Sequence, residues 1–181
     1  MFIGILIILV ILCVAGYFVL GYLNSKKAEE ITEYTPQEEI SDEQMRQTLV
    51  SLYFKNKEKN ELLQEARLID VKLLMENPYF ELVNMLIEGP KNDSLEGVIP
   101  EGTKLIKAEL KGDKVVLDFS QEFIDNHKGG VDLEKLTVYS IVNTLTELNE
   151  VNSVQFLING KDDVKFKDNK LSLKEPFLRI Q

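Results

Sequence analysis

Few residues of this chain carry reactive side chains at the spacings that chemistry requires. His127 is the single histidine among 181 residues and sits in the polar run DNHKGG, far from the single cysteine, Cys13. A zinc ion needs three or four such ligands, so His127 reads as a solvated loop histidine. Ser120 follows a strand-like stretch in DFS but lacks the G-x-S-x-G glycines that expose a nucleophile on a strained turn; it reads as a strand-end cap. Asp70, Asp118, Glu122 and Asp125 could include a carboxylate pair, yet their spacing fixes no two at a working separation. They read as surface or turn acids. Gly129-Gly130 is too short to cradle a phosphate and supplies a turn. Thr144 and Thr146 would bond back to their own helix or point to solvent. The expectation is a protein that is not an enzyme, without catalytic residues, cofactor or metal.

The elements that would position these residues are legible from periodicity. Thr48–Phe54 (TLVSLYF) alternates, with Val50, Leu52 and Phe54 on one side and Leu49, Ser51 and Tyr53 on the other. Glu61–Val71 is the expected antiparallel neighbour. Asn77 and Pro78 open a helix whose buried stripe is Tyr79, Leu82, Val83, Leu86 and Ile87, and Gly89-Pro90 closes it. A loop, Lys91–Gly102, leads to a hairpin in which Ile106, Ala108 and Leu110 face Val115, Leu117 and Phe119 across a Gly112-Asp113 turn. A second helix begins near Asp132 as N-cap and buries Val138, Ile141, Val142, Leu145 and Leu148. The strand SVQFLI follows, then a turn at Asn159-Gly160, and VKF and LSL form a last short hairpin about Asp168-Asn169. The order β-β-α-β-β-α-β with a short β tail predicts an α+β fold, a two-layer sandwich with both helices on one sheet face. The second face would be partly open to solvent. Tyr53, Leu105, Val116 and Leu157 would lie there among charged residues, either as an interaction face or as scattered surface apolars.

Ahead of this domain, Phe2–Leu23 holds 22 consecutive residues without a charge. At the helical rise that is enough to cross a hydrocarbon core of about 30 Å. No basic n-region precedes it and no A-x-A site follows, so an uncleaved single-pass transmembrane anchor over residues 1–23 is expected rather than a signal peptide. Residues 24–46 are polar and rich in glutamate, the composition of a linker, and the folded domain would occupy 47–181. Lys26 and Lys27 directly follow the apolar run and favour a cytoplasmic C-terminal side. The net charge of −9 lies entirely outside the anchor and repels phosphate backbones, which argues against nucleic acid as a partner.

A series of short blocks resembles one known family. SLYF at Ser51–Phe54, LIEGP at Leu86–Pro90, GVIPEGTKL at Gly97–Leu105, VVLDFSQEF at Val115–Phe123, IVNTLTELNEVNSVQFLINGK at Ile141–Lys161, and EPF with Arg179 occur in the order seen in the GerMN domain family of germination and sporulation proteins. The likeness runs from about Thr48 to Arg179. It implies a membrane-tethered, extracytoplasmic domain, similar to the ring-building motifs of multiprotein channels, with protein partners or self-association in an envelope complex. The family has no established catalytic residues to carry over. The chain has room for one GerMN copy, and Leu12 before Cys13 departs from the lipoprotein signal common among such proteins. The exported character of the family opposes the two lysines on orientation and is preferred. The expected role is a non-catalytic scaffold in a sporulation or cell-envelope complex at the cell membrane. The alternative is a binding module for a cell-wall or small-molecule ligand near the GVIPEGT loop, because loops carry function.

Overall fold

The computed structural model describes residues 14–22, 46–167 and 170–179. The chain divides into two units, Met1–Ser41 and Asp42–Gln181. In the first, residues 14–22 are helical (α1). Among the described residues no helix is long and apolar enough to cross a membrane. The expected anchor over 1–23 lies for the most part outside the described residues, and so do Lys26, Lys27 and the linker up to residue 45.

The second unit is an α+β fold with two sheets where a single sheet was expected. The first sheet has the order β2-β1-β3, built from β1 (Gln47–Asn56), β2 (Leu62–Asp70) and the two-residue β3 (Leu95–Glu96). The second has the order β4-β5-β6-β7, from β4 (Leu105–Lys111), β5 (Lys114–Phe119), β6 (Ser153–Ile158) and β7 (Phe177–Leu178). The expected pattern of two helices over one sheet face therefore gives way to one core shared by both sheets. Leu52 and Phe54 of β1, Leu82, Val83 and Leu86 of the first long helix, Leu117 and Phe119 of β5, and Ile141 and Leu145 of the second belong to one continuous apolar cluster.

Two short helices escaped the periodicity: α2 (Val71–Glu76), capped by the Asp70 carboxylate on the Lys72 amide, and α4 (Glu122–Asp125). Neither is long enough to repeat a 3.6-residue pattern. The two expected helices form as α3 (Pro78–Glu88) and α5 (Val131–Leu145). The Asn77 side chain accepts from the Phe80 amide at 3.0 Å and Pro78 takes the first helical position. At the other end Gly89 has φ +92°, a conformation open to residues without a Cβ. The α5 start differs by two residues: Gly130 is the N-cap, and Asp132 lies in the first turn with its charge on the favourable end of the helix dipole.

The β4–β5 hairpin turns at Gly112-Asp113 as expected, with Lys111 opposite Lys114. Its inward pattern does not follow the expectation. A register shift between Leu105 and Lys107 reverses the alternation, so Leu105 is buried and Ile106 is half exposed. A bulge inserts one residue and flips every side chain on one side of it. β5 and β6 run parallel, joined by α5 as the crossover. Asn159 and Gly160, at φ +48° and +78°, make the tight turn after β6. The tail hairpin pairs Lys165 with Ser172; its tip, Asp168-Asn169, lies outside the described residues.

Candidate interaction surfaces and cleft

The inner face of α5 carries hydroxyls at Thr137, Ser140 and Thr144, spaced to share one side of the helix. All three are buried, and they bond outward rather than only back along the helix. Ser140 Oγ donates to the Tyr53 carbonyl at 2.5 Å, and Thr144 Oγ1 accepts from the Tyr53 amide at 3.1 Å while donating to the Ser140 carbonyl at 2.8 Å. Helix hydroxyls thus complete the edge of β1 at Tyr53, next to the point where β3 pairs with Lys55 and Asn56. This explains why the first sheet stops there: a strand cannot add where a helix has taken its hydrogen bonds. Thr146 does bond back, to the Val142 carbonyl at 2.8 Å.

The four residues expected on one open face are dispersed. Leu105 is in the core. Val116 and Leu157 remain together, half buried on the same side of neighbouring strands β5 and β6, since Val116 faces Gln155 and Asp118 faces Leu157. Close by on β4, Lys107 and Glu109 form an exposed ion pair at 2.6 Å. Tyr53 belongs to the other sheet. Its hydroxyl donates to Glu147 Oε1 at 2.7 Å and accepts from Arg179 Nη2 at 2.8 Å, and Arg179 also meets Glu147 Oε1 at 2.6 Å. The guanidinium stacks 5.6 Å from the Tyr53 ring centre. Burial, then the Glu147 carboxylate, push the Tyr53 phenol up; the Tyr53 hydroxyl and then Arg179 hold the Glu147 carboxyl below its ordinary range. The triad fastens Arg179 to β1 and to the turn that follows α5.

A second charged group sits under the loop that follows α3. Arg67 reaches Glu65 Oε1 through both Nε and Nη2 at 2.7 Å, and its Nη2 also donates to the Gly89 carbonyl at 2.5 Å. Glu65 Oε2 accepts from the Lys91 and Asn92 amides at 3.0 and 2.9 Å. Both side chains are more than nine-tenths buried, with Arg67 over the Phe54 ring. Burial pushes the Glu65 carboxyl up, but the Asn92 amide, Arg67 and the Lys91 amide together hold it below its ordinary value. This pair was missed in the sequence, although it left a trace: in LLQEARLID the charged Glu65 and Arg67 interrupt the apolar side of a strand.

His127 is buried rather than solvated, packed edge-on against Phe166 at 4.9 Å. Nδ1 accepts from the Gly129 amide at 3.0 Å, which leaves Nε2 to donate to Thr137 Oγ1 at 3.0 Å, and Thr137 in turn lies 2.9 Å from the Val98 carbonyl. The ring ties the loop after α4, the start of α5 and the GVIPEG loop together. These elements frame a cleft of about 1260 Å³, bordered by Gly97–Gly102, residues 130–133 and the lysines 55, 128 and 170. The acids considered above do not converge: Asp70 caps α2, Asp118 accepts from the Gly160 amide, Asp125 accepts from Gln121 and Glu122 accepts from Ser120. Among the described residues no group of three or more His, Cys, Asp or Glu side chains is placed to hold a metal.

The family model described as Germane, sporulation and spore germination, matches residues 51–164. The tandem GerMN domains of the sporulation protein GerM from Bacillus subtilis superpose with a TM-score of 0.62 at 26% identity, covering 75% of this chain and 47% of that one. This chain therefore spans about half the length of the tandem structure. The first GerMN domain of GerM from Bacillus subtilis is similar in fold, with a TM-score of 0.53 at 21% identity over 63% of this chain and 84% of that one. So is a putative lipoprotein from Clostridium perfringens, with a TM-score of 0.50 at 24% identity over 77% and 92% of the two chains. None of the curated proteins matches the chain.

Proposed function

The chain belongs to the Germane family of sporulation and spore germination proteins, and from that premise we propose that it is a non-catalytic interaction module. Its N-terminal apolar run holds it in the cell membrane with the folded domain outside the cytoplasm, where it joins a sporulation or envelope complex. Family membership across Ser51–Val164 is the observation that carries this reading. The half-buried pair Val116 and Leu157 is the contact surface toward a protein partner, because apolar side chains bordered by an exposed ion pair have the composition of an interface core and rim. In protoplasts, external protease removes the domain, and the Val116→Asp, Leu157→Asp double variant loses pull-down of partners while retaining its thermal unfolding. A protease-protected domain, or pull-down that survives the double substitution, would sink the proposal.

The cleft beside the GVIPEG loop favours a second reading, a binding module for a cell-wall fragment or small molecule. Its border sets Lys55, Lys128 and Lys170 against Glu96, Glu101 and Asp132, with Lys55 paired to Glu96, which suits a polar, hydrogen-bonding ligand rather than a strongly charged one. On that reading, soluble wall fragments at about 100 times their Kd raise the melting temperature by the equivalent of about 2.7 kcal/mol. A purely protein-binding scaffold shows no shift.

A further inference from the structure

We propose that β2 is a docking edge for a second copy of this chain, paired antiparallel about a two-fold axis at Ala66. The Asn56 amide donates to the Glu61 carbonyl at 2.9 Å, which makes this a hydrogen-bonded pair. Alternation along the ladder then turns the backbone groups of Leu62, Gln64, Ala66, Leu68 and Asp70 away from β1. Tyr53, opposite Gln64, checks the phase: its own backbone groups point away from β2, to the α5 hydroxyls. On the β2 side, Gln64, Ala66 and Leu68 are exposed and have no partner among the described residues. Their N–H and C=O groups form a regular free ladder on the outer strand of the sheet. Folded proteins commonly blunt such an edge with lysine, proline or a bulge. None of these occurs at the three positions, and the inward charges between them, Glu65 and Arg67, are neutralised by each other within the fold.

The occupant follows from charge and register. Ala66 is the middle residue of the nine in β2, so pairing about it engages the whole strand. That register sets Gln64 of one copy opposite Leu68 of the other, in phase with the free ladder. It also sets Glu65 opposite Arg67 on the inner side, where each is already paired within its own copy, so that no buried charge is left uncompensated and no two like charges come face to face. The isologous contact closes as a dimer with a six-stranded sheet and leaves no further edge of this kind. Val116 and Leu157 lie on the other sheet, so this contact is separate from the proposed partner surface.

The test uses the full chain in detergent micelles, in a Cys13→Ser background. Ala66→Cys should give an oxidised dimer about tenfold faster than the control Glu109→Cys, since hydrogen-bonded partners at a two-fold axis have Cα atoms about 5.5 Å apart, within disulfide range. By sedimentation the wild-type chain is a dimer. Ala66→Pro removes an outward N–H, which an edge strand tolerates, and Leu68→Lys adds an edge charge. Each should weaken the dimer about tenfold or more with thermal unfolding in place. Equal cross-linking at both cysteines, a wild-type monomer at about 100 µM, or an oligomer indifferent to both edge variants would overturn the proposal. A monomer that takes up an extended peptide of another protein would overturn it too.

Discussion

Replacing Glu65 by alanine lowers the stability of the domain by about 3–5 kcal/mol, the cost of leaving a buried guanidinium without its counter-charge. The carboxylate serves Arg67 and the Lys91 and Asn92 amides at once, so its loss strands the guanidinium, more than nine-tenths buried, and releases the two amides of the exposed loop. For a chain of this size that is a fall in melting temperature of about 10 °C. The effect depends on pH with a definite sign. The folded Glu65 carboxyl lies below its ordinary value. Its contribution is therefore complete above the ordinary glutamate range and is lost as the pH falls through the folded value. Wild type and Glu65→Ala, followed by urea denaturation from neutral to acid pH, should converge on acidification. A constant gap across that range would show that the carboxylate charge is not what holds the loop. The companion Glu65→Ala, Arg67→Met variant should recover most of the loss, because an apolar pair carries no unpaired charge.

Ser140→Ala combined with Thr144→Val costs about 2–6 kcal/mol, since it leaves the Tyr53 amide and carbonyl facing an apolar helix, each group contributing about 1–3. The hydroxyls are close neighbours, so the two single variants should not sum to the double. Thr144→Ser keeps the acceptor and should stay within about 1 kcal/mol of wild type. Hydrogen exchange at the Tyr53 amide gives the local readout: protection at that amide survives Thr144→Ser and falls in Thr144→Val. If the double variant unfolds like wild type, water has replaced the hydroxyls and the helix does not complete the strand.

Much of this architecture was legible in the sequence because it rests on local rules. Asn77-Pro78 announces α3, Asn159-Gly160 closes β6, and the alternation of Val115, Leu117 and Phe119 marks β5; each needs only neighbouring residues. What was not legible is long-range. Nothing near Leu105 announces the bulge that turns it inward and Ile106 outward, because the shift is set by pairing with β5. Ser140 and Thr144 look like ordinary helix hydroxyls until β1 is placed beside them. His127 has the polar neighbours of a surface loop, and its burial comes from Phe166, 39 positions on in the chain. Tyr53, singled out as part of an open apolar face, is engaged by Glu147 and Arg179, both remote in sequence. The resemblance to the GerMN family included Arg179 in its last block, and the triad gives that position a physical task.

The fastening of Arg179 to Tyr53 spans 126 positions, and the α5 hydroxyls reach Tyr53 across 87 and 91. Contacts of such separation form late, because each must close a long loop before it is rewarded. A chain emerging from the ribosome N-terminus first can pair β1 with β2 and then with β3, but the β1 edge at Tyr53 waits for α5, and the Tyr53 hydroxyl waits for Arg179. The domain thus stays open at this edge until the chain has been made as far as Arg179. On the proposed extracytoplasmic placement, a fold that cannot close early would keep the chain threadable for export, an advantage in time rather than in stability.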